Sequence, residues 1–359
     1  MNVFASIFLV FALLLNGPHQ ALPGQSDEIS SIASQLQLIM KEHGVPGLSC
    51  AVVNHGKMVF SAGYGFADLE NDVAATEATV YRLASISKSV TAVLIMQLVE
   101  QGNLDLDADV STILKEWPRK RWPVTCRQLL AHLGGVRHYK PRDGESTRRY
   151  PNQIAALGRF SREPLLHEPG SKFLYSTFGF NLLAAVVERG FGQDFGKAVA
   201  KHVGMESRAP TLQDDDQRRL IKWRATGYIK RQNSLQNSVL MDSSYKLGGG
   251  GLCSSAPDLA RFAGALMAGR LLTSESMQEM WTEQATRTGK PVGYGFGFGV
   301  RTIHGRRVVQ HSGAQSRVST MLCMIPDDQV AVVIMCNLQG TPLSRLAQDI
   351  AFLVREGQK

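Results

Sequence analysis

Cysteine is scarce and scattered in this chain. Its five copies, at positions 50, 126, 253, 323 and 336, form no C-x-x-C and no zinc-like spacing. That excludes a redox dithiol and a zinc-ribbon reading. Cys323 and Cys336 are tempting partners, because they lie in neighbouring apolar runs, STMLCMIP and QVAVVIMCN, around Pro326-Asp327-Asp328. A hairpin about that turn, however, puts Cys323 opposite about Val332 and Cys336 opposite about Ser319. The two thiols are then out of register and too far apart to bridge. Buried free thiols that behave as small hydrophobes are the expectation. Other signatures are missing as well. There is no H-E-x-x-H, no G-x-S-x-G elbow, no P-loop and no G-x-G-x-x-G, so neither a metal nor another cofactor is expected. No N-x-S/T sequon, internal repeat or low-complexity tract is found.

The chain also lacks a basic tail. Net charge is +8, but the densest cluster, QRRLIKWRATGYIKR at 217–231, directly follows Asp214-Asp215-Asp216. No aromatics interleave a basic stripe, so a solvated face is expected rather than a nucleic-acid surface. Beyond the N-terminus no apolar run is long enough to span a bilayer, which takes roughly 20 residues. Val3 to Leu15 is almost wholly apolar, Asn16-Gly17-Pro18 breaks it, and Ala21 suits cleavage. Residues 1–21 therefore read as a signal peptide, placing the protein in a secreted or periplasmic setting. No Lys or Arg precedes the run, which leaves a weak membrane tether through an uncleaved N-terminus as the alternative.

What is present is a clear order of elements. Residues 28–44 carry apolar side chains at helical spacing and end at Gly44. GLSCAVVN and MVFSAGYGFA follow as β-rich runs joined by Asn54-His55-Gly56-Lys57, a hairpin signal. Ser87 to about Gln101 reads as a helix that Gly102 stops. From 104 to 247 the segments turn helical, joined by Pro- and Gly-containing loops. After that come the helix LARFAGALMAG, four β-rich runs and a last helix, SRLAQDIAFLVREG. This order predicts an α+β fold: one antiparallel sheet built from both chain ends (26–103 and 248–359), flanked by helices, with 104–247 as a mostly helical insertion. A cleft between sheet and insertion is the natural place for a site.

Four motifs carry chemistry. YRLASISKSVTA contains Ser85-x-x-Lys88 at the mouth of an apolar helix. Residues three apart share a helix face, so Lys88 can aim its amine at Ser85. A serine hydroxyl needs a base, and lysine is one only where its pKa is lowered. Helix capping by Ser85, Ser87 or Ser89 is the competing reading. A second S-x-x-K, Ser243 to Lys246, runs straight into four glycines, so no helix is expected to hold that pair. Tyr175, between an extended run and a helix, could relay a proton near a lysine. His311-Ser312-Gly313-Ala314 ends a β-rich run, and Gly313 would let a substrate approach the strand, whose free N–H groups could hold an oxyanion. His132, in LLAHLGGVRHY, has no second ligand at metal spacing and reads as a loop anchor.

Taken together, YRLASISKSVTA, LLAHLGGV, EPGSKFLYSTFGF, GGGGLCSSAPDLARF and YGFGFGV…HSGA resemble, in order, the landmarks of the serine β-lactamase and penicillin-binding protein superfamily. The resemblance runs from about 28 to 357, and the His311 form resembles that of class C-like members, among them esterases and D-amino-acid peptidases. It implies a β-lactamase/transpeptidase-like fold, with Ser85 as nucleophile, Lys88 and Tyr175 sharing base and acid duties, and His311, Ser312 and Gly313 lining the cleft. The N–H groups of Ser85 and Ala314 would form the oxyanion hole. The chain departs from the family's Y-x-N at Thr177, which has a hydroxyl but no carboxamide. That turns the expectation from efficient β-lactam hydrolysis towards small peptides and esters. The alternative is a catalytically weak binding or filament-forming protein of the same fold. Its oligomeric state is not readable from the sequence.

Overall fold

The structure, a computed structural model, describes residues 25–140, 143, 146–232 and 234–356. The signal segment expected at 1–21 lies outside the described residues. Among the described residues no helix is long and apolar enough to cross a membrane.

Helix α1 (Gln25–His43) ends where Gly44 takes φ +65. Strands β1 (Gly47–Asn54) and β2 (Lys57–Asp68) form the first hairpin. His55 and Gly56 both have positive φ, the requirement of a two-residue turn that keeps the strand twist. Two short strands follow, β3 (Val73–Ala74) and β4 (Val80–Arg82), then helix α2 (Ser87–Glu100). The middle of the chain holds short helical turns and α3 (Thr177–Phe191). It also contains β5 (Gln213–Asp214) and a small hairpin, β6 (Tyr228–Arg231) with β7 (Ser234–Asn237). Strand β8 (Leu252–Ser255) and helix α4 (Ala256–Met267) lead to β9 (Gly299–Ile303), β10 (Arg306–Gln315), β11 (Val318–Ile325) and β12 (Val330–Cys336). Helix α5 (Ser344–Glu356) closes the order.

The main sheet has seven antiparallel strands in the order β3-β2-β1-β12-β11-β10-β9. Strands from both parts of the chain meet where β1 pairs with β12. Along β1 the period-two alternation sends Ala51 and Val53 to one core and Cys50 and Val52 to another. On the first side lie α2, α3 and α4; on the second lie α1 and α5. Strands β1, β11 and β12 are therefore buried along their whole length. Each buried aliphatic side chain contributes roughly 1.5–3 kcal/mol of transfer free energy.

In the β11–β12 hairpin Cys323 pairs with Val332 and Cys336 with Ser319. All five cysteines are free and buried, as that register requires. The basic cluster after 217 is partly neutralised: Arg218 and Arg219 pair with Asp216 and Asp214, and Arg224 with the fully buried Asp215. A small sheet, β4-β8-β5, stands next to α2 and sets the direction in which the chain enters it.

Candidate active site

Strand β4 delivers the chain to a tight turn at 84–86, and α2 starts directly after it. Ala84 holds φ +48, a conformation that costs a residue with a Cβ of order 1–2 kcal/mol. Ser85 follows. None of the three serines caps a helix here: neither the 84–86 turn nor α2 has a side-chain cap. Ser87 Oγ accepts from the Leu252 N–H, and Ser89 Oγ donates to the Gly297 carbonyl. Helix α2 is apolar around its circumference and buried almost end to end, so Lys88 is carried into the interior.

Lys88 is fully buried. Its Nζ donates to Ser85 Oγ at 3.1 Å and to the Gly249 carbonyl at 2.6 Å, and lies 4.9 Å from the centre of the Tyr175 ring. It has no carboxylate partner among its described contacts. Burial, and then the charge of Lys246, push its pKa well below that of an ordinary lysine. Tyr175 moves the other way: burial raises its phenol, and its interaction with Ser85 opposes that rise. The two groups beside Ser85 are thus pushed in opposite directions, the amine towards its neutral form and the phenol towards its protonated one.

His132 holds Tyr175 from both sides. Its carbonyl accepts from the Leu174 N–H at 2.9 Å, and its Nδ1 accepts from the Ser176 N–H at 3.1 Å. Its ring centre lies 4.2 Å from that of Tyr175. This is the loop anchor that the isolated histidine suggested. Thr177 opens α3, with its N–H donating to His138 Nδ1 at 3.1 Å.

Strand β10 forms the opposite wall. Its pairing with β9 stops at Gln310, so residues 311–315 run beyond the reach of that neighbour. His311 is buried; its Nδ1–H donates to the Ser312 carbonyl at 2.7 Å, which leaves Nε2 to accept from the Tyr294 hydroxyl at 2.9 Å. Burial and the Lys88 charge lower its pKa to about 3, so it is a neutral ring. Ser312 and Ala314 border the cavity. Gly313 does not. A Cβ there would lie 2.1 Å from Thr320 Oγ1, 2.3 Å from the Leu83 carbonyl and 3.1 Å from Ala84 Cβ. Its missing side chain makes room for the turn that carries Ser85, rather than for a ligand.

The cavity measures about 710 Å³ and is bordered by Ser85, Tyr175, Thr177, His311, Ser312 and Ala314. It also brings in His138, Tyr294, Arg301 and Gln315, to which the motifs gave no role, and above all Lys246, the lysine of the S-x-x-K that the sequence reading sets aside. The dismissal of Lys246 is corrected by the fold. Ser244–Lys246 form a 3-10 turn and Leu247–Gly250 a helical turn, so the glycines do not make a loose linker. A Cβ on Gly249 would meet Thr177 Cγ2 at 2.4 Å, and one on Gly248 would meet Ala184 Cβ at 2.5 Å. The glycines let this turn press against α3 and present the Gly249 carbonyl to Lys88. The repeated S-x-x-K pattern was the available signal, but its lysine reaches Gln315 and Met241 rather than Ser243. Among the described residues, no cluster of His, Cys, Asp and Glu is arranged to hold a metal ion.

A seven-stranded antiparallel sheet flanked by helices, with an inserted helical region, is the β-lactamase/transpeptidase-like class of fold. The family model described as Beta-lactamase matches residues 32–355, and the chain belongs to that family. It is 29% identical to the serine beta-lactamase-like protein LACTB, mitochondrial, of Mus musculus, over 95% of this chain and 83% of that protein. Among solved structures, the octameric penicillin-binding protein homologue from Pyrococcus abyssi superposes with a TM-score of 0.79 at 25% identity, covering 91% of this chain and 77% of that one. The penicillin-binding protein from Bacillus halodurans gives 0.75 at 25% identity, over 89% and 98%.

Proposed function

We propose that the protein is a serine hydrolase that forms an acyl-Ser85 intermediate and acts on small peptides, esters and, weakly, β-lactams. The observation that carries this reading is the 3.1 Å contact from Lys88 Nζ to Ser85 Oγ, made by a buried lysine with no carboxylate partner among the described residues. A neutral amine at that distance can take the hydroxyl proton as Oγ attacks a carbonyl carbon. The N–H groups of Ser85 and Ala314 receive the oxyanion. The tetrahedral intermediate then collapses, the bond to the leaving group breaks, and Tyr175 gives that group a proton, which Lys88 replaces. Water attacks the acyl-enzyme by the reverse route and frees Ser85. The neutral His311 and Ser312 border the cleft along β10. Thr177, without a carboxamide, offers less to an amide side chain, which supports weak rather than efficient β-lactam turnover. The mechanism uses no metal or cofactor. The apolar run from Val3 to Leu15 supports a secreted or periplasmic setting.

The test is peptide mass spectrometry after treatment with a fluorophosphonate and, separately, a penicillin. A covalent adduct on Ser85 is expected from at least the first. No adduct on Ser85 from either, alongside a labelled control hydrolase, would contradict the assignment.

A further inference from the structure

We propose that the Lys246 end of the cavity is a carboxylate-binding subsite, and that the acyl group delivered to Ser85 carries a negative charge. The inference rests on the acyl-Ser85 reading and adds a substrate class to it. Lys246 is 2% exposed, yet it borders the cavity. Its Nζ has two hydrogen-bond partners, Gln315 Oε1 at 2.9 Å and Met241 Sδ at 3.1 Å, and both are neutral. The amide nitrogen of Gln315, on the same wall, is buried and has no acceptor among the described residues. The lysine amine and an unused amide donor therefore stand together. No Asp or Glu borders the cavity among its described residues.

Burial, and then the charge of Arg82, pull the Lys246 pKa down to about 7; Asp215 favours its charged form and Arg159 opposes it. Asp215 is itself paired with Arg82 and, at 3.0 Å, with Arg224. Tyr139 and Tyr245 present ring faces to Nζ at 5.8 and 5.6 Å. A buried amine with only neutral hydrogen-bond partners gives up its proton readily, and an arriving carboxylate favours its charged form as a counter-ion. A ligand carboxylate would meet both the Lys246 and Gln315 donors in the planar geometry that a carboxylate offers.

Orientation follows from β10. Gln315 marks the Lys246 end, while Arg301, the other cation on the cavity wall, pairs through β9 with Val308. Seven residues of extended strand separate these marks, roughly 23 Å. Tyr175, the proton donor to the leaving group, has His311 beside it, and His311 is bonded to Tyr294. The leaving group therefore departs towards Tyr294, and the acyl group lies towards Lys246.

Three esters test this: mono-p-nitrophenyl adipate, its neutral methyl ester, and the hexanoate ester of 4-hydroxybenzoate, which carries the carboxylate on the leaving group. The wild-type protein is expected to turn over the adipate monoester with a kcat/KM at least tenfold above that of its methyl ester. Lys246→Met should bring that ratio to about one, as should Gln315→Glu, which supplies a resident carboxylate. The ratio is read within each variant, so a change in overall rate does not obscure it. A wild-type ratio of one or less, a ratio that survives both variants, or a preference only for the leaving-group carboxylate would overturn the subsite. Turnover of the methyl ester that persists in Ser85→Ala would instead overturn the acyl-Ser85 reading.

Discussion

Lys88 can act as a base only because it is buried. In water a lysine amine is protonated at neutral pH and cannot accept the Ser85 proton; desolvation and the nearby Lys246 lower its pKa well below the ordinary value. The neutral form is the active one. The rate of Ser85 acylation should therefore rise with pH through the pKa of Lys88 and then level off, with the midpoint below that of an ordinary lysine. Tyr175, whose pKa is raised, stays protonated across that range. Lys88→Ala should lower acylation by roughly 10²–10⁴-fold, the usual contribution of a positioned base, and remove the rising limb. Stopped-flow labelling with a fluorogenic phosphonate across pH measures both. Near wild-type acylation in that variant would reject the role. The Ser85–Lys88 pair could be suggested from its three-residue helical spacing, with helix capping as the rival reading, and Tyr175 only from the resemblance of the ordered motifs. Lys246 was not legible: its place depends on glycines that pack tightly against α3, and a glycine run read alone suggests a linker.

Among the elements, β10 and the turn at 84–86 depend on each other. The turn is strained at Ala84 and carries the nucleophile. Strand β10 passes so close that only glycine fits at 313. The sequence suggested a glycine with a special role there, but assigned it to the substrate side of the strand. Which way a strand residue faces depends on register, and a shift of one residue reverses it. Gly313→Ala should cost roughly 1–3 kcal/mol from overpacking and displace Ser85 relative to Lys88. Thermal unfolding and Ser85 labelling of the same sample check both: a lower midpoint together with slower labelling is expected. Unchanged labelling in a destabilised variant would separate the strand from the site.

For the molecule as a whole, much of the architecture could be read before the structure. The β11–β12 register followed from two apolar runs around one turn, and the first hairpin from Asn54-His55-Gly56-Lys57. Both rest on short-range pairing, where turn chemistry and period-two alternation decide the outcome. Contacts between distant segments were not readable. Asn337, whose side chain accepts from the Gly47 N–H and donates to the Phe66 carbonyl, ties β12 to the first hairpin. The Arg82–Asp215 pair ties β4 to the segment behind the cavity. Neither has a local pattern, because each partner lies more than a hundred residues away. The strands from both chain parts, brought together by such contacts, form the wall opposite α2, and the site lies between them.

The central claim is that Ser85 becomes acylated during turnover. The most direct measurement is intact-protein mass spectrometry of the wild type and Ser85→Ala, quenched in acid within the first turnover of a p-nitrophenyl ester. A single added acyl mass that maps to Ser85, builds up with the burst of nitrophenol and is absent from Ser85→Ala is the predicted result. Ester hydrolysis at an equal rate in Ser85→Ala, with no acyl mass on either protein, would contradict it.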